Sequence, residues 1–537
     1  MKRFLVTTLL ALFAAAPVVA QKKVGENGQV SGSFESTSIY YMNDKKLGNA
    51  PEDQFGSNNY MKVDYSNGHF SAGLQANAFL PVLQGYNDYV GGKQFYLASK
   101  YVQWADKRFE VLVGDIFDQY GNGLIYRSFE DRQLGFNNSI EGVRALYNFG
   151  KYVTLKGMYG RPRLYTEYAN SWMRGADLMV SLANICGIQD VATLSLEGSY
   201  VNRFQKLTLG STMDQMIFEA TGMDTPNLNM YSGRLNFGWN GVTLRGEYVH
   251  KGKDLAPNAM EALSGSAILA EAGYSKGAFS VIATYRQLEN MLTRASLYND
   301  GIGNSVNYLP ALTRQYTYML ANLNPYQVQA MGEMGAQADI CYSLRSKESR
   351  YRYWNFHANF STFYTLKADQ TDDGSHRMLW RDINVDVERQ WSKKLKTIVL
   401  FSRQEWSPSH GFQEGSYASN IIVGDVTYKF DRKKSLRVEV QYLLADRKDG
   451  QYDYEGDWVA GLVEFNLAPR WSFFVQDMYN IDKTKVNYYS GGFSYTYSRT
   501  RVQLSYGRNR EGYICSGGVC RYSPAYTGVS LSLTSSF

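Results

Sequence analysis

Apolar and polar residues alternate along most of the chain, from about residue 29 to its end. In one segment Leu436, Val438 and Val440 alternate with Arg437 and Glu439. Because successive side chains of a β-strand point to opposite faces, such a segment has one apolar and one polar face. The same alternation recurs in residues 382–388, 493–497, 501–506 and 529–537. This pattern predicts amphipathic strands rather than helices.

Short turns and long connections separate these strands in alternation. Asn67-Gly68, Asn240-Gly241 and Lys276-Gly277 mark tight turns, and much longer stretches, such as 289–331, lie between them. Short periplasmic turns and long extracellular loops are typical of outer-membrane barrels. The sequence therefore predicts an all-β fold, a transmembrane antiparallel β-barrel of about 24 strands, within roughly 22–26. A soluble β-sandwich shows similar alternation, but it needs neither so many strands nor such asymmetric connections.

The two ends of the chain agree with export to the outer membrane. Residues 1–20 carry Lys2 and Arg3, an apolar run and small residues before Gln21, which predicts a secretory signal peptide. A short periplasmic segment, 21–28, would follow, and 29–537 would form a single barrel. The chain ends on the aromatic residue Phe537. This ending resembles the signal by which the β-barrel assembly machinery recognises bacterial outer-membrane proteins.

Composition narrows the possible functions. Mean hydropathy is −0.37, and aromatic residues, including 43 Tyr, make up 15% of the chain. Tyrosine suits the interfaces between a bilayer and water. A net charge of +6 over 537 residues, without a basic block, gives no support to nucleic-acid binding. We therefore expect outer-membrane lipid and small solutes to be the main contacts of this chain.

The spacing of the cysteines and histidines indicates a disulfide but neither a metal site nor a catalytic site. Cys515 and Cys520 lie close together in a predicted outer loop, which favours a disulfide over a metal site. Spacing alone does not pair Cys186 with Cys341. The five histidines show no metal-ligand spacing, so we expect no metal ion, no cofactor and no catalytic residue. An outer-membrane hydrolase using His376 or His410 is the least favoured function.

The most distinctive stretch is the glycine-rich loop at 117–138 with the strand before it. Gly121 and Gly123 permit tight backbone turns there. Charged groups set across a constriction select solutes by size and charge. The alternative is a surface loop stiffened by its own ion pairs. The residues predicted to line a constriction are Asp115, Asp118, Arg127, Glu130, Asp131 and Arg132.

The residues from Gly114 to Gly135 resemble a motif of uncharacterised outer-membrane β-barrel proteins of Bacteroidota. That motif runs approximately G-D/N-F-Y-E/D-Q-F/Y-G-x-G-L-I-x-R-x-Y/F-E-x-R-x-L-G, and Ile116 departs from its usual aromatic residue. The order of signal, first hairpins, this loop and a Phe-ended barrel is similar over nearly the whole length. The resemblance implies a porin-like barrel but brings no known activity.

Two functions follow as hypotheses. The first is a passive, porin-like channel whose lumen is restricted by loop 117–138. The alternative is a structural or assembly barrel whose loops and turns dock other envelope proteins. In the long loop 289–331, residues 316–330 have helical composition and could cap the pore or contact a partner. The alternative is a short helix that merely shortens the loop.

Overall fold

The computed structural model describes most of the chain beyond the predicted signal peptide, which lies outside the described residues. The described residues are 22–24, 27–86, 94–207, 211–222, 227–255, 261–297, 304–349, 351–366, 375–413, 415–446, 456–516 and 519–537. None of the helices in these ranges combines the length and apolarity needed to cross a lipid bilayer.

Within the described residues, 24 long antiparallel strands form one continuous sheet. The first twelve are β1 Gly28–Met42, β2 Phe55–Asn67, β3 Phe70–Phe79, β4 Phe95–Ala105, β5 Phe109–Ile116, β6 Ile140–Phe149, β7 Val153–Leu164, β8 Ser171–Ser181, β9 Ala192–Gln205, β10 Asn227–Trp239, β11 Val242–Leu255 and β12 Ala262–Lys276. The second twelve are β13 Phe279–Glu289, β14 Gly332–Arg345, β15 Tyr353–Thr365, β16 Met378–Gln390, β17 Leu395–Trp406, β18 Tyr417–Lys429, β19 Lys434–Ala445, β20 Trp458–Leu467, β21 Trp471–Asn480, β22 Asn487–Tyr497, β23 Thr500–Asn509 and β24 Tyr526–Ser536.

The first and last strands close the sheet. β1 pairs with β24 in register from Ser33↔Ser536 to Met42↔Thr527, so the sheet has no free edge at this seam. The terminal Phe537 adds two backbone hydrogen bonds with Gly32, each 2.9 Å long. Its ring lies where a Cβ on Gly32 would stand, 2.4 Å from Phe537 Cζ. The predicted antiparallel barrel of about 24 strands is confirmed.

Turn lengths differ between the two ends of the barrel, as predicted. One end has tight turns such as 240–241 and 277–278, and we call it the short-turn end. Two of its connections were not predicted: 182–191, which contains the short helix α1 Leu182–Ile185, and 346–352. The opposite, long-loop end carries the helix α2 Thr212–Thr221.

Small paired segments also lie outside the 24 strands. Lys22–Val24 pairs with the start of β1, and Glu167–Tyr168 pairs with the end of β7. At the long-loop end, the strands Gly512–Ser516 and Val519–Ser523 form a hairpin. A disulfide between Cys515 and Cys520 joins the two strands of this hairpin.

The two faces of the strands differ as the alternation predicts. On β19, Val440 is 59% exposed on the outside of the barrel, whereas Gln441, which points inward, is fully buried. On β16, Ile383 is exposed outward, and its neighbours Asp382 and Asn384 are buried inward. The outside therefore carries a belt of exposed apolar side chains, and the buried polar residues of these strands point toward the lumen.

Candidate functional site inside the barrel

The connection between β5 and β6, residues 117–139, lies inside the barrel, and we call it the first inward segment. Its side chains contact inward-facing residues of several wall strands. Asp118 Oδ1 lies 2.8 Å from Lys156 Nζ on β7, and Asn122 Nδ2 donates to Glu247 on β11 at 2.7 Å. These contacts tie the segment to the inner faces of β7 and β11.

The connection between β13 and β14, residues 290–331, is the second inward segment, described for 290–297 and 304–331. It crosses the inner faces of β16 to β19. Tyr316 donates to Asp382 at 2.7 Å, and the Leu320 N–H donates to Gln441 at 2.9 Å. The predicted helix at 316–330 does not form. Tyr316, Tyr318 and Leu320 contact different wall strands in succession, which requires a more extended path than a helix allows.

The two inward segments are hydrogen-bonded to each other. Arg127 N–H donates to Val306 O at 3.0 Å, and Tyr308 N–H donates to Gly123 O at 2.9 Å. The Arg127 guanidinium also lies 3.8 Å from the centre of the Tyr308 ring, in a cation–π contact. The segments therefore form one body inside the barrel.

This body covers the wall in the long-loop half of the lumen on the strands that it contacts. On β9, inward-facing Thr193, at the short-turn end, is exposed, whereas Val201 and Arg203, further along the same face, are fully buried. On β15 the same change runs from half-buried His357 to fully buried Ser361. A barrel of this size encloses a wide lumen unless something fills it. On these two strands the short-turn half faces open space, and the long-loop half is covered.

Apolar packing joins the first inward segment to the wall. Tyr120, Ile125 and Tyr126 belong to a buried cluster with the inward-facing Met158 and Met173. Burial raises the pKa of both tyrosines well above the usual value, so their hydroxyls stay neutral. The covered part of the lumen is thus partly apolar, which the simple assumption of a polar interior does not predict.

Four of the six predicted constriction residues line one cavity of about 460 Å³ between the first inward segment and the wall. They are Asp118, Arg127, Glu130 and Arg132. The wall contributes Lys62 and Gln75, among others. The cavity is therefore lined by charges of both signs from the inward segment and by the positive charge of Lys62 from the wall.

Arg132 is the best-anchored charge of this cavity. Its guanidinium lies 2.7 Å from Glu35 on β1 and 3.3 Å from Glu130, and it also donates to Gln75. Burial favours the neutral form, but the two carboxylates raise the pKa of Arg132 above its usual value. Arg132 therefore presents a permanent positive charge at a fixed place.

The other two predicted residues lie elsewhere. Asp115 is 2% exposed and sits in the barrel wall, where it accepts hydrogen bonds from Arg163, Ser139 and Tyr168. Asp131 accepts from the Leu134 N–H within the segment's own turn. Asp115 therefore does not line a water-filled constriction as expected, because its ion pair is buried behind the segment.

A second charged cluster supports the tip of the first inward segment. Arg234 lies 2.6 Å from Asp177 and 2.9 Å from Glu197. Gly121 has a φ of +54°, and a Cβ there would stand 2.6 Å from the Arg234 side chain. Glycine at 121 thus permits both the turn and the close approach to the wall.

Glu333, at the start of β14, is the main polar anchor of the second inward segment. It is fully buried, accepts from Tyr326 OH at 2.5 Å and from Gln329 N–H at 2.7 Å, and forms an ion pair with Arg286 on β13. Arg286 in turn donates to Pro310 O in the same segment. One buried ion pair therefore holds the segment at three points.

Near the two histidines considered for hydrolysis, His376 and His410, the side chains of His376 and of Ser409 bond mainly to backbone groups. His376 Nδ1 lies 2.9 Å from Thr365 O, and Ser409 Oγ donates to Gln413 O at 3.0 Å.

Sequence reasoning missed the wall partners Glu35, Lys62 and Glu247. Alternation places such residues on the inner face, but only the closed barrel shows which of them face a given segment.

Comparison with known proteins adds a family and a general likeness. A family model described as "Family of unknown function (DUF6029)" matches residues 1–537. No curated protein matches the sequence.

Among solved structures, the P pilus usher (PapC) translocation pore is 10% identical, with 95% of this chain and 99% of that chain covered and a TM-score of 0.44. The siderophore receptor PirA from Pseudomonas aeruginosa is 9% identical, with 96% and 81% covered and a TM-score of 0.43. OccK5 (OpdH) from Pseudomonas aeruginosa is 10% identical, with 78% and 98% covered and a TM-score of 0.39. At such identities and TM-scores, none of these likenesses carries a function to this chain.

Proposed function

The chain belongs to this family of unknown function (DUF6029), and we propose that it is an outer-membrane channel for small polar solutes. In this proposal residues 1–20 are a cleaved signal peptide, and Phe537 is read by the assembly machinery. The short-turn end faces the periplasm. The two inward segments narrow the lumen, and solutes pass the charged cavity beside the first segment.

The observation that carries the proposal is that cavity of about 460 Å³. Asp118, Arg127, Glu130 and Arg132 face it from the segment, while Lys62 faces it from the wall. Opposite charges across a narrow water-filled space act on passing ions through a transverse field. The exposed apolar belt outside the barrel supports insertion in lipid, with strands alternating apolar outward and polar inward.

Single-channel recording in planar bilayers tests this proposal. We expect the purified full chain to conduct ions. Arg132→Ala leaves Glu130 and Glu35 unbalanced and should shift selectivity toward cations, whereas Glu130→Gln should shift it toward anions. Arg432→Ala, in an exposed short turn, removes the same charge as Arg132→Ala but lies away from the cavity and should leave selectivity unchanged.

Two outcomes would overturn the proposal. If the two cavity variants behave like Arg432→Ala, ions do not pass this cavity. If the folded barrel does not conduct, it is not a passive channel, and a stable envelope protein copurifying with it would then favour the structural or assembly hypothesis.

A further inference from the structure

Three neighbouring strands bring a histidine, a cysteine and two carboxylates together in the half of the lumen nearer the short turns. Cys341 on β14 stands directly opposite His357 on β15, and His357 stands directly opposite Asp386 on β16. Asp339 lies two residues before Cys341, on the same face of β14. Opposite residues of an antiparallel pair have Cβ atoms about 4.5–5.5 Å apart, so these side chains meet.

Three of these side chains present potential metal ligands to one point. One ligand atom each from Asp339, Cys341 and His357 lies within 4.8 Å of the others. His357 Nε2 is 2.7 Å from Asp339 Oδ2, and Cys341 Sγ is 3.6 Å from Asp339 Oδ1. Tetrahedral zinc with bonds of about 2.0–2.3 Å places its ligand atoms about 3.4 Å apart. Small side-chain rotations would therefore suffice to surround an ion.

The groups behind these ligands are arranged as in many metal sites. Asp386 lies 2.9 Å from His357 Nδ1, the nitrogen that points away from Asp339. Arg314 of the second inward segment pairs with Asp386, and Asn359 donates to Asp339 Oδ2 at 2.9 Å. A carboxylate on the far ring nitrogen fixes the orientation of a metal-binding histidine and makes it a better ligand.

The charges balance with and without an ion. Without an ion, both ring nitrogens of His357 face carboxylates, so the imidazolium donates a hydrogen bond to each of them. Its single positive charge balances one carboxylate, and the charge of Arg314 balances the other. A divalent ion would replace the Nε2 proton of His357 and the thiol proton of Cys341. The ion then forms bonds to nitrogen, thiolate sulfur and carboxylate oxygen, two protons leave to solvent, and no electron is transferred.

We propose that Asp339, Cys341 and His357 bind a divalent transition-metal ion of the zinc class, with Asp386 as a positioning residue. Thiolate and imidazole select such ions over Mg²⁺ and Ca²⁺, which prefer oxygen ligands. The side chains of His357 and Asp339 are 21% and 37% exposed, so an ion can reach them from the open half of the lumen. Three protein ligands leave a fourth position for water or a solute.

Cobalt(II) titration of the detergent-purified full chain tests the site, because cobalt reports thiolate ligation by its charge-transfer absorption. A Cys515→Ser/Cys520→Ser background leaves Cys186 and Cys341 as the remaining thiols. We expect one cobalt ion per chain, displaced by zinc, with two protons released. Cys341→Ser should abolish the absorption, and the control Cys186→Ser should keep it.

Two further variants separate ligation from misfolding. Asp386→Asn should keep the thiolate band but weaken binding about 10–100-fold, as loss of a partner behind a ligand does. His250→Gln, which removes another histidine of a strand, should bind like the background protein. Heat-dependent gel mobility would show that each variant is a folded barrel. Absence of a thiolate band in the background protein, or its survival in folded Cys341→Ser, would overturn the proposal.

Discussion

Removing Glu333 should release the second inward segment while leaving the barrel in place. Glu333→Ala deletes the partner of Tyr326 and of the Gln329 N–H, and it leaves Arg286 buried without a counter-charge. Breaking a fully buried ion pair in this way costs about 3–5 kcal/mol. Because each 1.4 kcal/mol is a factor of ten, the undocked population should rise roughly 100- to 4,000-fold.

Limited proteolysis of the folded barrel measures this population. When opening and closing are fast, the cleavage rate follows the fraction of undocked segment. We expect new cleavage within 304–331 in Glu333→Ala, with intact strands on either side. The matched control is Glu271→Ala, whose partner Arg245 is 59% exposed, so that the pair contributes at most about 1 kcal/mol. Equal cleavage of both variants and the unmodified chain would refute the anchoring role of Glu333.

Three smaller predictions follow from the barrel itself. Val440→Lys puts a charge on the outward face and should destabilise the membrane-inserted barrel by about 2–4 kcal/mol, measured by urea titration in lipid. Desolvation opposes ionisation of Asp44, but hydrogen bonds from Arg508 hold its pKa below the usual range. The ion pair between Asp44 and Arg508 should therefore hold the loop of Asp44 fully above about pH 4 and weaken as the pH falls through the lowered pKa. In hydrogen exchange, Asp44→Asn should show the weakened state of this loop at every pH. Reducing Cys515–Cys520 should raise exchange in its hairpin only, because those strands are not part of the barrel sheet.

The barrel could be predicted because the sequence signals for its strands and turns are local. Alternation such as Leu436 to Val440 and turns such as 240–241 repeat along the whole chain, so each strand and hairpin can be recognised without its neighbours. The connection 182–191 was missed since it carries a short helix instead of a two-residue turn. The strand count followed from the repetition of these local signals.

The interior could be predicted only in part. The glycines and charges of 117–138 indicated an inward loop, but the burial of Asp115 depends on Arg163, a residue 48 positions away. The cluster of side chains around His357 could not be predicted for the same reason. The register of three paired strands places Cys341 and Asp386 opposite His357, and the spacing of these residues along the sequence does not reveal it. Long-range pairing of this kind becomes visible only in the closed sheet.

Thiol accessibility on one strand tests the account most directly. In a Cys186→Ser/Cys341→Ser background, Thr193→Cys and Val201→Cys place single thiols on the inner face of β9, and Leu196→Cys places one outside. In lipid vesicles, a charged thiol reagent present on both sides of the membrane should label Thr193→Cys. It should spare Val201→Cys and Leu196→Cys until the protein is denatured. Labelling of Val201→Cys as fast as Thr193→Cys would show that the inward segments do not cover the long-loop half of the lumen.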